Sequence, residues 1–284
     1  MSVIRVVSYN IHKGLSATGG RESLSDLRLG LYGLHPDLLF LQEVQGRNEQ
    51  RLSLDTQHEY LAAALNMNAA YGCNAIRPHT DHGNALLSRY PILEHENQDI
   101  SDHRLEQRGL LHALIDVQGV PVHCLVVHLG LFAGGRSRQV AALVERIKRL
   151  VPENEPMLIA GDFNDWSNRL APLFVRQLSL YEVFAIAPHH DPSPRLLRHS
   201  VTRLRNTLRG MPQTPLAAKV HELGINGAAR MTPPPRTFPA AFPWLRLDRI
   251  YQRGFAVRKA RVLQGVPWKQ ISDHAPIYAE LELP

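Results

Sequence analysis

The feature that most constrains this chain is how its strands end: short apolar runs stop on polar, chemistry-bearing side chains. Val3–Asn10, Asp37–Glu43, Asn84–Arg89, Gly109–Asp116, Val122–His128 and Met157–Asp162 are rich in Val, Ile and Leu and read as strands. Leu247–Gln252, Arg258–Leu263 and Ala275–Leu283 add more toward the C-terminus. Asn10 closes the first run, Glu43 the second, His128 another, and Asp162 with Asn164 another. Asp248 lies in RLDRIY, and Asp273 with His274 in SDHAPIYAEL. A run without charge that stops on a carboxylate presents it at one rim of a sheet. Singly, each has a plain structural reading: Glu43 as edge solvation, Asp162 as a helix N-cap, His128 as a satisfied core histidine. Together they point to a shared site.

Helical stripes separate the strands. Leu24, Leu27, Leu31 and Leu34 recur at i, i+3, i+7 and i+10, and Gln139, Leu143, Ile147 and Leu150 mark a second helix. Several strands are almost continuously apolar, which suits sheets covered on both faces in a layered α/β protein.

With 284 residues, 44% of them hydrophobic, the chain can fill one large core or two small ones and is too apolar to be disordered. No apolar run reaches the roughly 18–20 residues that cross a bilayer. The N-terminal MSVIRVVSYN lacks the features of a secretory signal. Cys73 and Cys124 are far apart, which excludes a disulfide scaffold and a cysteine zinc site. A cytoplasmic location is the expectation. The net charge of +6 is concentrated between Ile186 and Arg236, where eight Lys/Arg face only Asp191 and Glu222 and eight of the 20 prolines fall. The expected organisation is a single domain over 1–284 carrying a basic, Pro-rich insertion at 187–235.

Inside that insertion Ser193-Pro194 and Thr214-Pro215 are helix starts, and Gly210 and Gly224 are stops. Leu197, Val201, Leu204 and Leu208 form one stripe, and Leu216, Val220 and Leu223 the next, so a helical hairpin is predicted. Arg198, Arg205 and Arg209 flank the first stripe. They read either as a solvated face or as a basic amphipathic surface for phosphates of nucleic acid or an anionic membrane.

The polar strand ends make a coherent chemical set. Carboxylates and amides are hard oxygen ligands suited to Mg²⁺ or Mn²⁺, with Glu43 as one such ligand and Asp273 as a second. His128 and His274 are suited to stabilising or protonating phosphate oxygens, and Asp162 to orienting or deprotonating water. No G-x-x-x-x-G-K-[ST], H-E-x-x-H or G-x-S-x-G occurs, which weighs against P-loop NTPases, zincins and serine hydrolases.

SYNIHKG, LQEV, GNALLSRYPI, RGLLHALI, HLGLFAGGRSRQ, GDFND, LDRIY and SDHAP occur in that order from Asn10 to Pro276. In this the chain resembles the endonuclease/exonuclease/phosphatase superfamily, which includes DNase I, exonuclease III, neutral sphingomyelinases and inositol-polyphosphate 5-phosphatases. NIHKG with HGNALLSRYPI, AGDFNDW and RTFP…LRLDRIY resembles a bacterial subgroup of it. The resemblance implies a DNase I-like four-layer α/β sandwich, two packed, mainly antiparallel sheets flanked by helices. It implies Glu43 as principal metal ligand, Asn10 as support for metal and phosphate, and Asp273 as a further metal-site acid. Asp162 would position or deprotonate the water and Asn164 hold a phosphate oxygen. His274 would contact the scissile phosphate with Asp248 fixing its orientation, and His128 is a second phosphate-contacting histidine. Asn84 and Arg108 match the rim of the phosphate site.

Departures narrow the substrate. Exonuclease III-type repair enzymes carry Asn-x-Asn/Asp-Gly-Leu-Arg after the first strand and a tyrosine at the place of His128. Here the run is Asn10-Ile11-His12-Lys13-Gly14, which argues against abasic-site repair. His12 and Lys13 read either as loop solvation or as a grip on substrate phosphate. The expected reaction is metal-dependent hydrolysis of a phosphate ester, foremost the phosphodiesters of nucleic acid. Alternatives are a phospholipid or inositol-phosphate esterase at a membrane surface and a non-catalytic phosphate-binding module. Trp166 and Trp268 lie beside site residues, Trp268 being read as packing or as a pocket wall; Phe242 and Trp244 are read as packing residues.

Overall fold

The computed structural model describes residues 2–103, 106–188 and 233–283. Most of the predicted insertion, with its helical hairpin, lies outside the described residues. The first sheet begins with β1 (Val3–Asn10), β2 (Leu38–Asn48), β3 (Asn68–Ile76) and β4 (Thr80–Ser88). The second contains β5 (Ile92–Asp99), β6 (Gly109–Val117), β7 (Val120–His128), β8 (Met157–Asp162), β9 (Tyr181–Glu182) and β10 (Asp248–Arg253). The chain then returns to the first sheet with β11 (Ala256–Val262) and β12 (Ile277–Glu282). The strand orders are β11-β12-β1-β2-β4-β3 and β5-β6-β7-β8-β10-β9.

Each six-stranded sheet is antiparallel except for its central pair. β1 runs parallel to β2, and β7 parallel to β8. A parallel pair needs a crossover, and helices supply both. α1 (Leu24–Leu34) joins β1 to β2, and α3 (Ala133–Leu150) joins β7 to β8. α2 (Gln57–Leu65) lies with α1 outside the first sheet, and α4 (Ala171–Leu178) with α3 outside the second. Ligand sites of parallel α/β units lie beyond the carboxyl ends of their strands. Asn10, His128 and Asp162 stand at those ends of β1, β7 and β8, and Glu43 directly follows the Leu38–Gln42 stretch of β2 that pairs with β1, the strand itself running on to Asn48 rather than stopping at Glu43.

Three apolar clusters give the four layers of the sandwich. Val6, Phe40, Leu86, Leu111, Val126, Ala160, Ile250 and Ile277 fill the space between the sheets. Leu27, Leu31 and Leu61 seal α1 and α2 onto the first sheet. Val140, Leu143, Ile147 and Phe174 seal α3 and α4 onto the second. Because both sheets are covered on both faces, their central strands read as unbroken apolar runs.

β3 and β5 escape that signal. Both are edge strands, and the exposed face of ILEHENQD needs no apolar residues. Trp268, read from sequence as packing or as a pocket wall, is buried: its ring abuts Gly30 of α1 and stands edge-on to Tyr9. The packing role expected of Phe242 and Trp244 is corrected, since they are 80% and 58% exposed.

Candidate active site

Strand register builds half of the site. His128 of β7 pairs with Asp162 of β8, which pairs on its other side with Asp248 of β10. Three polar side chains therefore stand on adjacent strands at one rim. His274, just before β12, closes the row. Its Nδ1 lies 2.9 Å from Oδ2 of Asp248, and its Nε2 3.7 Å from Oδ2 of Asp162. Nε2 of His128 lies 3.6 Å from the same Asp162 oxygen. All four residues are buried.

The first sheet supplies the other half. The β2–β4 register shifts between Leu41 and Val44, and Glu43 sits in that irregularity at φ 54. Such bulges re-aim a side chain within a strand. Asn10 Nδ2 donates to Glu43 Oε1 at 3.4 Å, and Lys13 Nζ lies 3.3 Å from Oε2. His12, Lys13 and Gly14 take φ of 47, 57 and 71, a left-handed turn that costs non-glycine residues about 1–2 kcal/mol each. His12 N–H donates to Asn10 Oδ1 at 3.1 Å, which ties this turn to the end of β1. His12 Nδ1 is 3.2 Å from the Ser16 carbonyl and 3.9 Å from Asp273 Oδ1.

Several supports carry little sequence signal. Ser272 Oγ donates to the Asn10 carbonyl at 2.7 Å, joining the His274 loop to β1. Thr237 Oγ1 accepts from Asp248 N–H at 3.3 Å, and the ring of Phe238 lies 4.9 Å from that of His274. Arg249 is fully buried and donates to the carbonyls of Asp248 and Asp165 at 2.8 and 3.0 Å. Serine and threonine are too common in loops for these roles to show in a single sequence. Only their places inside SDHAP and RTFP mark them.

Not every expected residue faces the reaction rim. Asn84 is buried between the sheets, with Nδ2 donating to the carbonyls of Gly109 and Val126 at 2.9 and 3.3 Å. Both amide hydrogens tie β4 to the opposite sheet. Asn164 adopts φ 49, and its N–H donates to Asp162 Oδ1 at 3.0 Å. Its Nδ2 spends one hydrogen on the Leu129 carbonyl at 2.9 Å. Arg108 is held by Glu106 at 3.3 Å beside a cavity of about 380 Å³ that also meets Arg77, His82, His103 and Phe132.

Burial and charge set distinct protonation states. Burial pushes the Asp162 carboxyl up, against the pull of His274, to about 6. Burial disfavours a charged His274, but Asp248, followed by Asp162, outweighs it and raises the ring to about 10. His128 goes the other way: burial, reinforced by Arg108, holds it well below the usual histidine range. Burial would also raise Glu43, yet His128, Lys13 and the Asn10 amide bring it down to about 2. Lys13 is the cation in direct contact with Glu43, and protonated His274 acts on the same carboxylate.

The donor set fits a divalent cation. Glu43, Asp273 and Asn10 offer oxygen, and Glu43 is held ionised. Asp162, Asp248 and His274 also present ligand atoms within 4.8 Å of one another, and Oδ1 of Asp248 is buried without a hydrogen-bond partner. A row of carboxylates and imidazoles with separated protonation states, beside a carboxylate-amide group suited to a cation, is equipped for metal-assisted hydrolysis.

The profile of the Endonuclease/Exonuclease/phosphatase family matches residues 7–274, and the chain belongs to that family of phosphate-ester hydrolases. It is 36% identical to the Escherichia coli (strain K12) protein YbhP over 287 residues, covering 98% of this chain and 96% of that one. The fold matches the endonuclease/exonuclease/phosphatase of Beutenbergia cavernae with TM-score 0.70 and 19% identity, over 100% of this chain and 72% of that chain. It also matches D. rerio TDP2 complexed with a single-strand DNA product, with TM-score 0.64 and 18% identity, over 99% of this chain and 100% of that one.

Proposed function

We propose that this chain is a divalent-metal-dependent phosphodiesterase acting on nucleic acid. The observation that carries the reading is the in-register row His128–Asp162–Asp248, with His274 bonded to Asp248 and reaching Asp162.

Glu43, with Asn10 and Asp273, would hold Mg²⁺ or Mn²⁺. Asp162, Asp248 and His274 are less suited as a cage, because both ring nitrogens of His274 already face carboxylates. When bound, the ion supplies Lewis-acid stabilisation of negative charge on the phosphate. Asp162 orients the attacking water and takes its proton; a base near 6 is well matched to neutral pH. Protonated His274, held by Asp248, donates from Nε2 to a phosphoryl oxygen. Neutral His128 and the remaining amide hydrogen of Asn164 donate to the same group as charge grows on it. Water attacks phosphorus directly, the P–O bond to the leaving alcohol on the opposite side breaks as the new one forms, the leaving oxygen takes its proton from solvent, and no covalent intermediate is required.

Nucleic acid is favoured over lipid by the groove beside the row. Arg77 and Arg108, the latter paired with Glu106, line it with His103 and with His82, which burial lowers to about 4 and keeps neutral, and Phe132 stands 69% exposed at its wall. Basic and aromatic side chains together suit a backbone phosphate with an adjoining base. That TDP2 has been captured with single-strand DNA on the same fold supports the choice. The lipid reading rests on the 187–235 insertion, which lies largely outside the described residues. The test is a comparison of a labelled 20-nucleotide single strand with phosphatidylinositol vesicles and soluble inositol phosphates. Faster cleavage of the strand, with affinity falling steeply as salt rises, supports the proposal. Turnover confined to the lipid or inositol substrates overturns it.

A further inference from the structure

Lys13 is held against Glu43 by a backbone that few residues adopt. His12 and Lys13 are both left-handed, and Gly14 continues the turn. Five hydrogen bonds fix it: Gly14 N–H to the Ile11 carbonyl at 2.9 Å, Leu15 N–H to His12 at 3.0 Å, and Ser23 N–H to Gly14 at 2.8 Å; His12 N–H to Asn10 Oδ1 at 3.1 Å; and Gln57 Nε2 to the Lys13 carbonyl at 2.8 Å. At Gly14 a Cβ would come within 2.7 Å of Gln57 Nε2, so the turn is packed as well as bonded. Strain of this kind persists where the surroundings over-determine it, and it gathers at functional sites. Glu43, across from the turn, is left-handed too.

The result is an ammonium 3.3 Å from Glu43 Oε2. The Lys13 side chain is 37% exposed and that of Glu43 20%, so the pair stands at the mouth of the site rather than beneath it. Asn10 already takes Oε1 of the same carboxylate. A divalent ion on Glu43 would therefore share one carboxylate with Lys13, and two cations on one anion repel. Lysine has a flexible four-carbon stem and a compact charge that can re-aim from one acceptor to another.

We propose that Lys13 is a substrate-binding residue coupled to the metal: it shares Glu43 with the ion, is released from that carboxylate by it, and then grips a non-bridging phosphate oxygen. The inference rests on the phosphodiesterase reading above. It makes binding ordered, with the metal first and the phosphate second. It also explains why strained backbone is spent on a lysine outside the Asp162–Asp248–His274 row.

The test is calorimetric titration with Mn²⁺ of wild type, Lys13→Met and Lys13→Arg, with kinetics on bis(p-nitrophenyl) phosphate and a short single strand. Thermal melts confirm that the variants are folded. Lys13→Met should bind Mn²⁺ about three- to fivefold more tightly, the size of a partly exposed ion pair removed. Its KM should rise about tenfold with a smaller change in kcat, as for a lost charge-assisted contact to phosphate. Lys13→Arg should restore most of the KM. Unchanged or weaker Mn²⁺ binding in Lys13→Met, or an unchanged KM, overturns the inference while leaving the phosphodiesterase reading intact. A folded wild type that binds no Mn²⁺ and cleaves neither diester overturns both.

Discussion

Nδ1 of His274 stands 2.9 Å from Oδ2 of Asp248, and this one bond fixes both the tilt and the charge of the imidazole. With Nδ1 engaged, Nε2 is directed at Asp162, 3.7 Å away. Replacing Asp248 by Asn keeps the shape and removes the charge. His274, held up at about 10 mainly by Asp248 against its own burial, should then titrate at least about one unit lower, read by NMR of the ring. We expect kcat to fall about 10²-fold, as for a lost electrostatic contribution. An unshifted His274 in Asp248→Asn would remove Asp248 from this role.

The rate should have two limbs in pH. Asp162 works ionised; burial raises it to about 6, so kcat/KM falls as pH drops through about 6. His274 works protonated; it loses its proton near 10, so activity also falls as pH rises toward that value. A profile that stays flat down to pH 4 would exclude Asp162 as the base.

Gly161 precedes Asp162 at φ 150, and a Cβ there would lie 1.9 Å from the carbonyl oxygen of Val127. That contact is backbone on a neighbouring strand and cannot swing aside. Gly161→Ala should destabilise the protein by about 3 kcal/mol or more, and it should lower kcat because the His128–Asp162 register shifts. A wild-type melting temperature in Gly161→Ala would contradict the strand geometry.

A buried chain of donors lies under α3, away from the reaction rim. Arg146 Nε donates to His112 Nδ1 at 3.4 Å, so the His112 proton sits on Nε2 and donates to His123 Nδ1 at 2.9 Å. His123 Nε2 then donates to Glu155 Oε2 at 2.8 Å. A second proton on His112 would point at the Arg146 guanidinium. Burial, with His123 and Arg146, lowers His112 to about 4 from its usual 6.5. The unfolded chain therefore binds more protons between those values, and stability is full above 6.5 and lost as pH falls toward 4. The wild-type melting temperature should drop over that window by roughly 5 °C more than that of His112→Leu. Equal acid slopes would rule out His112 as the source.

The fold was legible where strands are central and doubly covered. β1 and β8 were bounded as observed, because VIRVVSYN, Arg5 and Ser8 apart, and MLIAGD are apolar on both faces until their functional ends. β3 and β5 were not, because edge strands need satisfy only one neighbour and ILEHENQD spends its free face on water. The register joining His128, Asp162 and Asp248 was invisible in sequence, since it depends on which strands become neighbours. The residue types at that rim were visible because runs that end on a carboxylate are rare without a reason. The bonds of the Asn84 amide, which tie the two sheets together, were likewise invisible in sequence.

The central claim is tested most directly by cleavage of supercoiled plasmid and a labelled single strand. Wild type and His274→Ala are compared with Mg²⁺ or Mn²⁺ and with EDTA. We predict metal-dependent cleavage that EDTA abolishes and that His274→Ala lowers at least about 10²-fold. Cleavage that survives both EDTA and the substitution, or no cleavage of either substrate by folded, metal-supplied protein, would contradict it.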